Sequence, residues 1–210
     1  MTVFLIRHTT PRVPVGLCYG QTDLRLEATF GTEAEAVRAR IKAEPSPSLR
    51  IYSSPLSRCL RLAGRLWPEA SIATADALME LDFGAWENRP WADLAGPDLD
   101  RWMQDFVHAT VPGGESYQTL YERCSRWWEE TIEGGANGGE TIEGRANGGE
   151  TIGEHAKGEV AVVTHAGVIR SLLCHCSGTA LADSFRSYTV PYGSVYLLSK
   201  ENGPWTIRLL

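Results

Sequence analysis

Two short apolar runs limit what this chain can fold into more than any other feature. Val3–Ile6 reads VFLI near the start, and residues 160–163 read VAVV far downstream. Neither run alternates apolar with polar residues, so each needs cover on both faces. Such runs are strands from the interior of a sheet that carries helices on either side. Both also end unusually: the first passes straight into Arg7-His8-Thr9, the second into Thr164-His165-Ala166-Gly167.

The rest of the chain alternates between the two periodicities. Residues 27–43, rich in Ala and Glu, read as a helix, and 49–54 as a strand. Ser54 and Pro55 suit the cap and first position of a helix that Pro68 stops, with Leu56, Leu60, Ala63 and Trp67 as its apolar face. Residues 71–76 suit a short strand, and the stretch 80–113 holds at least one short helix. A longer helix is predicted over 115–130, another over 168–178 with Gly178 as its stop, and a terminal hairpin from 194–200 and 205–210 around Asn202-Gly203. Strands alternating with helices imply an α/β domain with a mostly parallel sheet. A chain of 210 residues suits a single domain with a sizeable core.

One segment breaks the pattern. Residues 131–159 read TIEGGANGGE, TIEGRANGGE, TIGEHAKGE. With one Ile per copy and Gly, Asn and Glu otherwise dominant, burial cannot offset the ordering entropy. The expectation is an inserted surface loop, 131–159, dispensable to the domain.

Bulk properties narrow the function. A net charge of −6 without a basic run argues against nucleic acid. The absence of a leader pattern or a long apolar stretch argues against export and membrane insertion, so the expected location is the cytoplasm. Five cysteines without paired spacing indicate neither a disulfide framework nor zinc, and Cys174-His175-Cys176 reads as buried thiols in a helix. The seven tryptophans read mainly as core, with Trp86 and Trp91 flanking an acidic segment.

In open α/β sheets, ligands gather beyond the carboxyl ends of the parallel strands. This sequence places Arg7 and His8 there, then Ser53-Ser54-Pro55 with Arg58 in the following helix, then His165. Glu80 and Asp82 precede Gly84 nearby. Guanidinium forks match phosphate oxygens. A neutral imidazole accepts a phosphoryl group through one nitrogen while the other is held as a donor. A carboxylic acid protonates the leaving alkoxide and then deprotonates water. This is equipment for phosphoryl transfer through a phosphohistidine, with Arg and His rather than a metal supplying the positive field.

In chain order, LIRHTTP, SSPLSRC, ELDFGAWE, PGGES and VVTHAGVIR resemble the motifs of the histidine phosphatase, or phosphoglycerate mutase-like, superfamily. The resemblance covers nearly the whole chain except the repeat. It implies a three-layer sandwich, a mostly parallel central sheet with helices on both faces. It implies His8 as the phosphorylated nucleophile, with Arg7, Arg58 and His165 completing the phosphate pocket. Glu80, four residues before Gly84, falls at the proton donor, with Asp82 as the alternative acid. The family usually follows Arg-His with Gly; Thr9 stands here and brings a side chain to the pocket. Residues 14–26, PVGLCYGQTDLRL, look like the loop of the alpha-ribazole phosphatase branch, which sets Gln21 and Thr22 beside Thr9 as substrate contacts. The alternative for that loop is a plain turn, with Tyr19 packed and Asp23 capping the residues just after it. The implied function is a phosphomonoesterase without metal or other cofactor, acting on a small-molecule phosphate ester. Alpha-ribazole 5′-phosphate, from cobalamin nucleotide-loop assembly, is the favoured ester. A mutase or broad-specificity sugar-phosphate phosphatase is the alternative, and a non-catalytic phosphate-ester binding domain a third. The sequence specifies no oligomeric state.

Overall fold

The computed structural model describes residues 1–41, 48–134 and 158–210. Among these, six strands form one sheet: β1 (Thr2–Arg7), β2 (Arg50–Ser53), β3 (Ile72–Thr74), β4 (Glu159–Thr164), β5 (Val195–Ser199) and β6 (Thr206–Leu209). Their order is β3-β2-β4-β1-β5-β6. The first four run parallel, and β5 and β6 extend the far edge antiparallel. The two apolar runs lie side by side at the centre, Val3 opposite Val160 through Ile6 opposite Val163.

Because successive strand residues face opposite ways, the two runs split between two cores. Val3, Leu5, Val160 and Val162 pack under α4 (Tyr117–Trp128) and α5 (Ala166–Ser177). Phe4, Ile6, Ala161 and Val163 pack against α1 (Phe30–Ile41) and α2 (Ser57–Leu66). Each fully buried aliphatic side chain contributes about 1.5–3 kcal/mol, which is why strands with no polar face sit here and nowhere else. The expected three-layer arrangement is the one found. No helix among the described residues is long and apolar enough to cross a membrane.

Several boundaries differ from the sequence expectation. α2 begins at Ser57, not Pro55. Its first turn is capped from outside: Ser57 donates both its backbone N–H (2.9 Å) and its hydroxyl (2.8 Å) to Asp23 Oδ1. Asp23 therefore caps a helix 34 residues away rather than its own neighbours. The buried stripe of α2 is Cys59, Leu62, Ala63 and Leu66, while Leu60 turns partly outward. α5 starts at Ala166, two residues earlier than expected, and Gly178 ends it in the left-handed region at φ 73°. The described residues also include two short α-helices, α3 (Pro97–Gln104) and α6 (Ser184–Ser187).

The expected repeat loop lies mostly outside the described residues, but its beginning does not. α4 continues into a π-helical turn, Glu129–Glu133. Ile132 is 1% exposed and belongs to the core beneath β1 and β4. Glu133 Oε1 accepts from Trp205 Nε1 (2.8 Å) and Lys200 Nζ (3.2 Å), tying this turn to the terminal hairpin. The first Thr-Ile-Glu of the repeat is therefore part of the packed body, because its Ile falls on the buried side of an extended α4. Ile132→Ala should cost about 2–5 kcal/mol, the range for emptying a buried Ile site, read as a lower urea midpoint with an unchanged slope.

Candidate active site

The parallel strands deliver their next residues to one place. His8 N donates to Thr164 O and Ser54 N to Val163 O, each at 3.0 Å. The chain ends of β1, β4 and β2 are thus level, and His8, His165 and Ser54 emerge together.

His8 is 2% exposed. Its Nδ1 lies 2.7 Å from Thr9 O. A carbonyl only accepts, so Nδ1 carries the hydrogen and Nε2 keeps its lone pair. Burial, then the charges of Arg58 and Arg7, hold the imidazole pKa well below its usual value, and the Thr9 bond opposes this only in part. His165 is fully buried, its ring 5.1 Å from that of His8, with Nε2 2.8 Å from Ser54 Oγ. Burial, His8, Arg58 and Arg7 push it down as well. Two neutral imidazoles therefore share the pocket.

The two arginines supply the charge. Arg58 is fully buried, and Nη1 donates to Thr22 O (2.7 Å) and Nη2 to Gly20 O. Arg7 Nη1 donates to Val190 O, and the guanidinium lies 3.8 Å from the centre of the Tyr192 ring. Among the described residues neither has a carboxylate at ion-pair distance. The Nε of each is buried without a partner. Cations in that condition are costly unless an anion joins them.

Glu80 reaches the site from the other side. Its Oε2 accepts from Gly167 N (3.1 Å) in the first turn of α5, and its Oε1 from Leu81 N (3.0 Å). A Cβ on Gly167 would stand 2.3 Å from Glu80 Oε1. The segment is anchored by Arg123, which donates to Ala77 O (2.8 Å) and Glu80 O (3.0 Å) and pairs with Glu115 at 2.7 Å. Thr164 Oγ1 donates to Leu78 O (2.6 Å), joining it to β4.

Arg7, His8, Arg58, Glu80 and His165 all line one cavity of about 310 Å³. Asp82 does not; it accepts from Gly84 N at 2.8 Å. Thr9 does not line the cavity either. Its side chain is fully buried with an unpartnered hydroxyl, and only its carbonyl serves the site. The side chains of Gln21 and Thr22 do not line it either, and they are bound to the protein: Gln21 Nε2 donates to Glu80 O (3.1 Å) and Thr22 Oγ1 to Glu87 Oε2. Two other members of the loop, Leu17 and Tyr19, line the cavity, and the Tyr19 hydroxyl meets that of Tyr192 at 2.6 Å.

Glu87 serves the site without any local pattern that singles it out. Its carboxylate accepts from Gly20 N (3.1 Å), Gln21 N (2.9 Å), Thr22 N (3.2 Å) and Phe83 N (3.3 Å). It gathers the amides of the loop whose carbonyls hold Arg58. Burial pushes its pKa up, but the bonds from Thr22, Gln21 and Gly20 outweigh that and leave it below the usual glutamate value. Its place in ELDFGAWE is visible in the sequence; three of its four amide partners, some 65 residues away, are not.

The model of the histidine phosphatase superfamily (branch 1) matches residues 3–210. The chain belongs to the histidine phosphatase superfamily. An alpha-ribazole phosphatase from Shigella flexneri shares the fold at TM-score 0.81 and 22% identity, covering 100% of this chain and 96% of that one. A mycobacterial glucosyl-3-phosphoglycerate phosphatase gives 0.76 and 22%, over 98% of this chain and 96% of that one. A phosphoserine phosphatase from Entamoeba histolytica gives 0.76 and 17%, over 98% and 94%. A bifunctional protein of Mycobacterium tuberculosis is 35% identical over 92 residues, 42% of this chain and 23% of that protein's length.

In this histidine phosphatase the clamp makes a separable contribution. Glu87→Gln should cost about 2 kcal/mol at neutral pH, because charge-assisted bonds to buried amides are lost. A carboxylate whose folded pKa is lowered stabilises above its unfolded value and loses that as pH falls. The difference between the two proteins should therefore be full above 4.5, the ordinary value, and shrink below it in urea titrations.

Proposed function

We propose that the chain is a phosphomonoesterase that works through a phosphohistidine on His8, with alpha-ribazole 5′-phosphate as its substrate. The observation that carries this is a pair of guanidinium groups with no acid partner among the described residues, beside a buried imidazole whose Nε2 lone pair is free. The phosphate dianion supplies the missing countercharge. Arg7, Arg58 and His165 hold its non-bridging oxygens, and the field is already in place when charge develops.

His8 Nε2 attacks phosphorus as the bond to the ester oxygen breaks, and Glu80 gives its proton to that oxygen. Water then attacks the phosphohistidine, Glu80 takes its proton, and inorganic phosphate leaves with His8 restored. The net reaction consumes one water and yields an alcohol and phosphate. Since Nδ1 is tied to Thr9 O throughout, Nε2 stays the reacting atom. The substrate part of the proposal is supported by the Cys-Tyr-Gly-Gln-Thr-Asp loop and by the fold shared with the Shigella enzyme. The neighbours active on other phosphate esters define the competing substrates.

Brief mixing with alpha-ribazole 5′-phosphate should leave acid-labile, base-stable phosphate on the wild type and none on His8→Ala. Label persisting on the variant sinks the His8 assignment. The kcat/KM for alpha-ribazole 5′-phosphate should exceed those for glucosyl-3-phosphoglycerate and phosphoserine, and the reverse order removes the substrate assignment alone. Gly167→Ala should fold, because the clash falls on the mobile end of Glu80, yet displace its carboxylate. Turnover of alkyl phosphates should drop about 100-fold, the scale of general acid–base catalysis. The drop should be much smaller on p-nitrophenyl phosphate, whose leaving group needs no proton.

A further inference from the structure

Arg7 and Arg58 bring two like charges to one cavity, and like charges move apart unless something holds them. Each is held by a different segment. Arg58 donates to Gly20 O and Thr22 O. Arg7 donates to Val190 O, and its guanidinium lies 3.8 Å from the centre of the Tyr192 ring. The two segments are anchored in different places. Glu87 gathers the amides of Gly20, Gln21 and Thr22. The other segment is tied to the end of β1, where Gly193 N donates to His8 O (3.1 Å) and Arg7 N to Ser194 O (3.0 Å).

Among the described residues one hydrogen bond joins these segments to each other. The Tyr19 and Tyr192 hydroxyls meet at 2.6 Å. Each ring also stands beside the cation of its own segment, Tyr192 against Arg7 and Tyr19 with its centre 5.8 Å from Arg58. A ring face attracts a cation without neutralising it. Burial, then the bond with Tyr192, push the Tyr19 phenol above its usual pKa, so this end of the bond carries no charge. A carboxylate in the same place would tie the segments equally well, but it would cancel the charge that the phosphate needs. Both tyrosines are only half-buried. Water can serve a hydroxyl at such a position, so burial alone does not demand that the two be paired.

We infer that the Tyr19–Tyr192 hydroxyl bond is a neutral strut that sets the spacing of the Arg7 and Arg58 guanidinium groups, and that both tyrosines are positioning residues for phosphoryl transfer. The inference rests on the reading of the two arginines as the phosphate clamp and His8 as the nucleophile. During transfer the phosphoryl group flattens and spreads its charge over three equatorial oxygens. Guanidinium groups held at one spacing match that flattened form. Guanidinium groups free to shift follow the tetrahedral ester nearly as well, but lose the match in the transition state. The strut therefore acts on kcat more than on KM.

The test uses Tyr19→Phe, Tyr192→Phe and the double variant, which keep both rings and remove only the hydroxyl groups. Inhibition by orthovanadate, which takes five-coordinate geometry on a nucleophilic nitrogen, is compared with inhibition by inorganic phosphate. Each single variant should bind vanadate about fivefold more weakly, the worth of one hydrogen bond, and phosphate less than twofold more weakly. For an alkyl phosphate, kcat should fall about fivefold with KM nearly unchanged. The double variant should be no worse than either single one, because the same bond is lost once. If Tyr192→Phe does not fold, Tyr19→Phe reads the same bond from the exposed loop. Equal weakening of vanadate and phosphate overturns the strut and makes the tyrosines plain binding groups. Losses that multiply in the double variant overturn the coupling, and variants identical to the wild type in kcat and vanadate affinity overturn the positioning role. Each of these outcomes leaves the phosphatase reading standing. A wild type that binds neither anion and carries no phosphate on His8 overturns both.

Discussion

Two guanidinium groups with no carboxylate at ion-pair distance among the described residues set the terms for everything around them. Arg7 and Arg58 are held by backbone carbonyls and an aromatic face, which orient a cation but do not neutralise it. Any acid at ion-pair distance would relieve that cost and would also occupy the place proposed for the phosphate. The same two charges, together with burial, keep His8 neutral and its Nε2 open. In the proposed reaction, phosphate binding and the open lone pair of His8 thus come from one electrostatic arrangement.

Such an arrangement persists only if the backbone around it cannot relax. The sheet provides the first restraint: β1, β4 and β2 end level, so the residues just beyond them share a rigid edge. The loop 19–23 provides the second. Arg58 takes its carbonyls and Glu87 its amides, so the loop is held from both sides. The third is the Arg123–Glu115 pair, which fixes the backbone carrying Glu80, while Gly167 leaves just the room its carboxylate needs. Charged side chains outside the cavity set the positions of those inside it.

Of the six residues that line the cavity with charged or basic groups, all but Arg170 were legible because each has a position that the local pattern or the family motif defines: the end of an apolar strand, the first turn of a helix, or a fixed offset from a glycine. Thr9, Gln21 and Thr22 were not. They stand beside those positions in the chain, but none of their side chains serves the cavity; those of Gln21 and Thr22 are bound to protein partners. Glu87 was invisible for a related reason. Its four amide partners include three from a loop some 65 residues earlier. The start of α2 moved because a carboxylate from that loop caps it, and Ile132 left the repeat because α4 runs on long enough to bury it.

What the sequence determined by itself is the centre of the sheet and the polar residues at its edge. Hydrophobic periodicity is a local property, and an uninterrupted apolar run has a single stable place, between two layers. The tertiary structure alone decided which side chains face the cavity, which ones hold them there, and that aromatic rings from residues 83–106 and Phe185 line it as well. Those outcomes depend on hydrogen bonds and ring contacts between segments far apart in the chain, and such partners are chosen by the packed fold rather than by neighbours in sequence.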